Sequence, residues 1–179
     1  TQLNAKFADH VVVQTVAMAD GLEKSFPDWR QRSCVKVIGQ PPPSWFTLTD
    51  RTSRQLSEKN GLRLIYPAAS YPHKNHRIFE QLADLETISV LERITLSISE
   101  ECFENIPPWL NCVGRLCHTQ CLKQYHETDA LVFPSVLESY GLPLVEAMML
   151  GLPILASDLP YARVLCGKDG IYFDPESPE

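Results

Sequence analysis

The chain's 179 residues, 44% apolar and 21% charged, suffice for one good-sized domain, or for one domain and part of another. A formal charge of −6, with basic residues interrupted by acidic and polar ones even between Arg51 and Arg63, argues against a nucleic-acid partner. No apolar run approaches the ~20 residues that cross a bilayer, and no signal peptide opens the chain. A cytoplasmic setting is therefore expected, with peripheral contact at the inner face of a membrane left open.

Taken in order, the chain opens on a helix-like fragment without Met, followed by a strand-like run from His10 to Thr15 and a helix from Val16 to Lys24. A second strand-like run, "CVKVIGQ", leads into "PPPSW", where three prolines exclude helix and central strand and demand an extended connector. Residues Phe46 to Asn60 lack periodicity and read as a loop with one helical turn. From Gly61 the pattern becomes regular. "LRLIYPA" is strand-like, and "KNHRIFEQLADL" is amphipathic, with Ile78, Phe79, Leu82 and Leu85 at helical spacing. "RITLSIS" and "LNCVG" are strands on either side of an irregular segment, and Thr119 to Tyr125 is helical. "ALVF", "PILAS" and "GIYF" are strands separated by helices over Pro143 to Leu150 and Pro160 to Leu165. Such alternation predicts a doubly wound, Rossmann-like α/β domain, a parallel sheet with helices on both faces. The continuous apolar runs suit strands buried on both sides. With no closing helix after "DPESPE", truncation at both ends is expected.

Two clusters invite chemistry. Cys112, Cys117, His118 and Cys121 lack the paired C-x2-C knuckles of zinc modules, so the six cysteines read as ordinary buried thiols in a reducing cytosol. The stretch "FPSVLESYGLPLVEAMMLGLPILASD" is more telling. Gly141 and Pro143 split it, with Pro143 expected as the first helical residue, where its missing N–H costs nothing. Glu138 then lies on the loop leaving "ALVF", and Glu146 in the first turn or so of the next helix. Loops at the carboxyl ends of such strands line the ligand crevice, and the amides of Ser139 to Leu142 are placed to face an anion. Two carboxylates beside an anion site are suited to sugar and ribose hydroxyls rather than to phosphate. No G-x-G-x-x-G follows a first strand, which disfavours a dinucleotide-dependent oxidoreductase.

The E-x7-E pair, its Gly-Leu-Pro triplets, "EAMMLGLPILASD" and "GIYFDP" together resemble the carboxy-terminal, donor-binding domain of retaining glycosyltransferases of the family 4 type, which have the GT-B architecture. The resemblance covers most of residues 61–175 and is strong from Ala130 to Pro175. It implies that residues 1–45 are the tail of an amino-terminal acceptor domain with the crossover linker, and that 46–179 form the nucleotide-sugar domain. It further implies that Glu138 and Lys74 are catalytic: Glu138 holds hydroxyls of the transferred sugar, and Lys74 of "YPHKN" contacts the donor diphosphate. Glu146 takes the ribose hydroxyls, and the backbone of Ser139, Tyr140, Gly141 and Leu142 holds sugar and diphosphate. No metal or other cofactor is implied, in keeping with the lack of an Asp-x-Asp motif. The implied partners are a nucleotide-sugar donor and a carbohydrate or lipid-linked acceptor reached through the amino-terminal domain. The implied setting is bacterial polysaccharide or lipopolysaccharide assembly, and the fragment alone is not expected to turn over. The pattern departs from the family where Ala68 and Ala69 stand in place of the usual second phosphate-binding arginine; His73 and Arg77 lie nearby. A non-catalytic sugar-nucleotide-binding domain and a nucleotide-sugar epimerase on the same scaffold are the alternative readings.

Overall fold

The computed structural model describes residues 8–27, 34–41, 43–44, 61–84 and 89–177. The predicted opening helix fragment, the loop over 46–60 and Leu85 fall outside them. Among the described residues the chain forms a two-stranded sheet from β1 (His10–Val13) and β2 (Cys34–Val37), and a six-stranded sheet from β3 to β8. Between β1 and β2 runs α1 (Val16–Ser25), opened by Thr15, whose buried hydroxyl accepts from the Met18 amide at 3.2 Å.

The larger sheet comprises β3 (Leu62–Tyr66), β4 (Leu91–Leu96), β5 (Leu110–Cys112), β6 (Ala130–Phe133), β7 (Ile154–Ser157) and β8 (Ile171–Phe173). Its spatial order is β5-β4-β3-β6-β7-β8, with every pairing parallel. The chain moves outward from β3 to β5, then returns to the other side of β3 for β6 to β8. That reversal leaves a crevice between the carboxyl ends of β3 and β6. The run "ALVF" is buried throughout and "ILAS" at every residue but the partly buried Leu155, as befits strands covered on both faces. The helix α4 (Leu142–Leu150) packs on β6 and β7, and α5 (Pro160–Cys166) lies on β7 beside α4 and α1. Ile65, Tyr66, Ile94, Leu96, Leu131, Phe133 and Leu144 are fully enclosed at the centre.

The opposite end of the sheet is clamped. Asp129 accepts from the Arg63 backbone amide and its guanidinium at 2.8–3.0 Å, while Thr128 donates to the Arg63 carbonyl at 2.7 Å. These bonds set the register of β3 on β6 from their amino ends, and with it the gap between their carboxyl ends.

Two elements differ from expectation. The amphipathic stretch 74–85 is not one helix: a 3₁₀ turn at Pro72–Lys74 precedes a short α2 (Ile78–Gln81), which runs into a second 3₁₀ turn at Leu82–Asp84. Asn75 adopts a left-handed backbone (φ 54°) and ends the first turn, anchored by its amide to the Pro175 carbonyl at 2.9 Å. Periodicity reported the buried Ile78 and Phe79 correctly but not the break between Lys74 and the helix. In α4 the first helical residue is Leu142 rather than Pro143, with Gly141 left-handed at φ 86° as the cap. Pro143 still falls in the first turn, where no N–H is required.

Candidate functional site

A cleft of about 1040 Å³ opens at the β3/β6 crossing point. One wall is the loop after β3 (Pro67 to Tyr71, with Lys74); another is the loop after β6 (Glu138 to Gly141) with the start of α4. The third combines Ser97 to Ser99 with Gly114 to Leu116 and the exposed face of α3 (His118–His126). Gln40 and Pro43 of the proline connector close its edge.

Lys74 is positioned by its own backbone. The Tyr66 hydroxyl donates to the Lys74 carbonyl at 3.0 Å, and the His73 carbonyl accepts from the Val136 amide (2.8 Å) and the Ser135 hydroxyl (3.1 Å). The Tyr161 hydroxyl in turn donates to the Ser135 carbonyl at 2.6 Å. These bonds tie the turn after β3 to the loop after β6, and the Lys74 ammonium forms an ion pair with Glu138 across the crevice. Side-chain exposures of 16% and 9% mark this pair as largely shielded from water. Glu138 and Lys74 thus meet directly, which their separation of 64 residues could not disclose.

Glu146 sits in the middle of α4 rather than in its first turn, buried in the cleft wall with 6% exposure. Its Oε2 accepts a 2.7 Å hydrogen bond from the hydroxyl of Tyr125 on α3. Burial pushes the Glu146 carboxyl above the usual carboxylate range, while the Tyr125 hydrogen bond and the charge of His118 pull it down. The neighbouring Cys121 thiol is pushed up to about 12, by burial first and then by the charges of Glu146 and Cys117. Beneath the β3 loop, burial lowers the His76 imidazole to about 4, with Lys74 adding to the effect and the hydrogen bond to the Ala68 backbone opposing it.

All the residues anticipated from sequence, Lys74, Glu138, Ser139, Tyr140, Gly141, Leu142 and Glu146, line this one cleft. Tyr140 also donates to the Gln40 carbonyl at 3.1 Å, linking the loop to the connector. Ala68 and Ala69 line the cleft without a cation, and Arg77 turns instead to a separate cavity of about 400 Å³ beside Glu80 and Glu101. Among the described residues, the guanidinium that lines the cleft together with the Lys74 ammonium belongs to Arg115. Neither Arg115 nor Tyr125 was anticipated. The 1-4-8 spacing of His118, Cys121 and Tyr125 marks one helical face, but its pairing with Glu146 is long-range. The cysteines correct another expectation: all six are free thiols, but Cys34, Cys102 and Cys117 are exposed rather than buried. No group of three His, Cys, Asp or Glu among the described residues could hold a metal ion. No helix among them is long and apolar enough to cross a membrane.

Residues 97–179 match the family described as glycosyl transferases group 1. The O-antigen chain mannosyltransferase RfbU of Salmonella typhimurium is 35% identical over 52 residues, 29% of this chain and 15% of that protein. Glycogen synthase of Mycobacterium tuberculosis is 37% identical over 65 residues, 35% of this chain and 16% of its relative. Among solved structures, Alr3699/HepE of Anabaena in complex with UDP and glucose superimposes with a TM-score of 0.72 at 19% identity, over 99% of this chain and 52% of its own. The pneumococcal O-GlcNAc transferase GtfA in complex with UDP and GlcNAc gives 0.70 at 20% identity, over 96% and 35%. The chain thus spans about half or less of these proteins. Residues 97–179 match the glycosyl transferases group 1 family, and the chain carries the parallel α/β fold of GT-B glycosyltransferases.

Proposed function

We propose that this chain is the donor-binding half of a retaining glycosyltransferase that moves a hexose from a nucleoside-diphosphate sugar to an acceptor hydroxyl. The observation that carries the reading is the convergence of Lys74, Glu138 and Glu146 on one cleft at the point where the strand order reverses. In it, the hexose hydroxyls bond to Glu138, the ribose hydroxyls to Glu146, and the diphosphate lies along the bend Ser139–Leu142 at the start of α4. Amides in the first turn of a helix have no intrahelical acceptor and favour an anion.

The chemistry follows from charge. As the bond from the anomeric carbon to the phosphate oxygen breaks, the electron pair leaves with the diphosphate. A fixed cation there stabilises the transition state more than the ground state. Lys74 is that cation once the donor separates it from Glu138, and Arg115 is the second that Ala68 and Ala69 do not supply. The diphosphate is neutralised by side chains and amides in this reading, so transfer by the full-length enzyme persists in the presence of a chelator. Residues 1–45 belong to the acceptor-side domain and its crossover, 46–179 to the donor side. The mannosyltransferase and O-antigen relatives favour a role in bacterial polysaccharide assembly on a carbohydrate or lipid-linked acceptor, at the cytoplasmic side of a membrane.

Thermal unfolding with UDP, GDP and ADP tests the reading. A ligand that binds only the folded state adds about 2.7 kcal/mol at a hundredfold excess over its Kd. One diphosphate is expected to raise the melting temperature, and Glu146→Ala to abolish the rise. Equal responses from wild type and variant would remove Glu146 from the ribose site.

A further inference from the structure

A carboxylate has two oxygens, and in Glu146 one is already committed. Oε2 is bonded to the Tyr125 hydroxyl at 2.7 Å, and Tyr125 is wholly buried. His118, Cys121 and Tyr125 recur at i, i+3 and i+7 along α3, so one helical face passes beneath Glu146. The first two of these residues line the cleft with Glu146, and the third, wholly buried, reaches Glu146 from outside the cleft lining. A phenol held in the core cannot follow a moving partner. The carboxylate's direction is therefore set from beneath, before any ligand arrives.

We propose that Tyr125 is a positioning residue for nucleotide recognition: it holds Oε2 of Glu146 so that the remaining oxygen meets the ribose, and the site thereby distinguishes ribose from 2′-deoxyribose. This rests on the reading of the cleft as a nucleotide-sugar site. A carboxylate free to rotate would bring its second oxygen round to whichever hydroxyl remained. One pinned by Tyr125 leaves a buried acceptor unmatched when a hydroxyl is missing, and such sites discriminate strongly. The titratable groups facing Glu146 among the described residues are Tyr125, His118 and Cys121, all on α3. Loss of the phenol donor removes one of the two influences that keep the Glu146 carboxyl down. Its protonation then moves to higher pH, and the acid limit of nucleotide binding moves up with it.

The experiment is calorimetric titration of the purified chain with UDP, GDP and their 2′-deoxy counterparts, from neutral pH to about pH 5. Wild type is expected to prefer the ribonucleotide by about tenfold or more. Tyr125→Phe is expected to weaken the ribonucleotide about tenfold and the deoxynucleotide little, so that the preference collapses. Its acid limit is expected to rise. A variant that merely loosens the fold would weaken both nucleotides alike, and an unchanged preference in Tyr125→Phe overturns the proposal. So does a wild type that binds both forms equally. Should Tyr125→Phe not fold, 3-fluorotyrosine at position 125 keeps the ring and sharpens the donor. It is expected to lower the acid limit, and an unmoved limit overturns the proposal. If no diphosphate binds wild type, the nucleotide reading of the cleft falls and takes the role of Tyr125 with it.

Discussion

Two buried ionisable side chains pull the pH dependence of this fold in opposite directions. Glu146 has a raised carboxyl because burial penalises its charge. Its stabilising contribution is complete below the unfolded value near 4.5 and is lost as pH rises through the higher folded value. Glu146→Gln keeps an oxygen to accept from Tyr125 but carries no charge. We expect it to melt above wild type at neutral pH and level with it near pH 4, while losing stabilisation by diphosphate; paired melts at the two pH values decide. His76 has the other sign. Its imidazole is lowered from 6.5 to about 4, so its stability is present above 6.5 and drains as pH falls toward the folded value. The loss amounts to roughly 3 kcal/mol at most. Urea denaturation of His76→Gln is expected to lack that loss, from a lower starting stability because the bond to the Ala68 backbone is disturbed. Of these residues only Glu146 was visible as a candidate in the chain. A lone buried His and a Tyr 21 positions away acquire meaning only from their neighbours.

At the level of elements, the turn after β3 and the loop after β6 act as one unit through Lys74 and Glu138. Removing one partner of a shielded pair strands the other, at a cost of about 3 kcal/mol. Lys74→Met and Glu138→Leu are each expected to approach that loss, and the double variant to lose much less than the sum. Additive losses in a denaturation cycle would show that the pair does not couple the two loops. Gly141 supplies the left-handed turn that ends the second loop. At φ 86° an added Cβ would also lie 3.0 Å from Leu144 Cδ1, so Gly141→Ala is expected to cost about 1–2 kcal/mol and to weaken diphosphate binding. The strands were legible because apolar runs between turn residues survive any context. The run from Lys74 was not, because Lys74 ends a turn begun at Pro72 and the left-handed Asn75 breaks a periodic pattern that its neighbours' spacing suggested was continuous.

On the scale of the whole molecule, the cleft depends on the clamp at the far end of the sheet. Asp129 and Thr128 hold Arg63, β3 and β6 keep their register, and the loops at the other end arrive opposite each other. Asp129→Ala is expected to lower stability by about 2 kcal/mol, leaving a partly buried guanidinium and amide short of a partner. It should weaken nucleotide binding without touching the cleft, as comparison of melting and titration data would show. What the chain determined alone was the alternation of strand and helix, the buried character of the parallel strands, and the kinds of residue gathered around the E-x7-E stretch. These are local properties of spacing and composition. Tertiary structure alone decided that Lys74 faces Glu138, that Tyr125 holds Glu146, and that Arg115 rather than Arg77 reaches the cleft. Such pairings join residues distant along the chain, and only the reversal of strand order between β3 and β6 brings them within bonding distance.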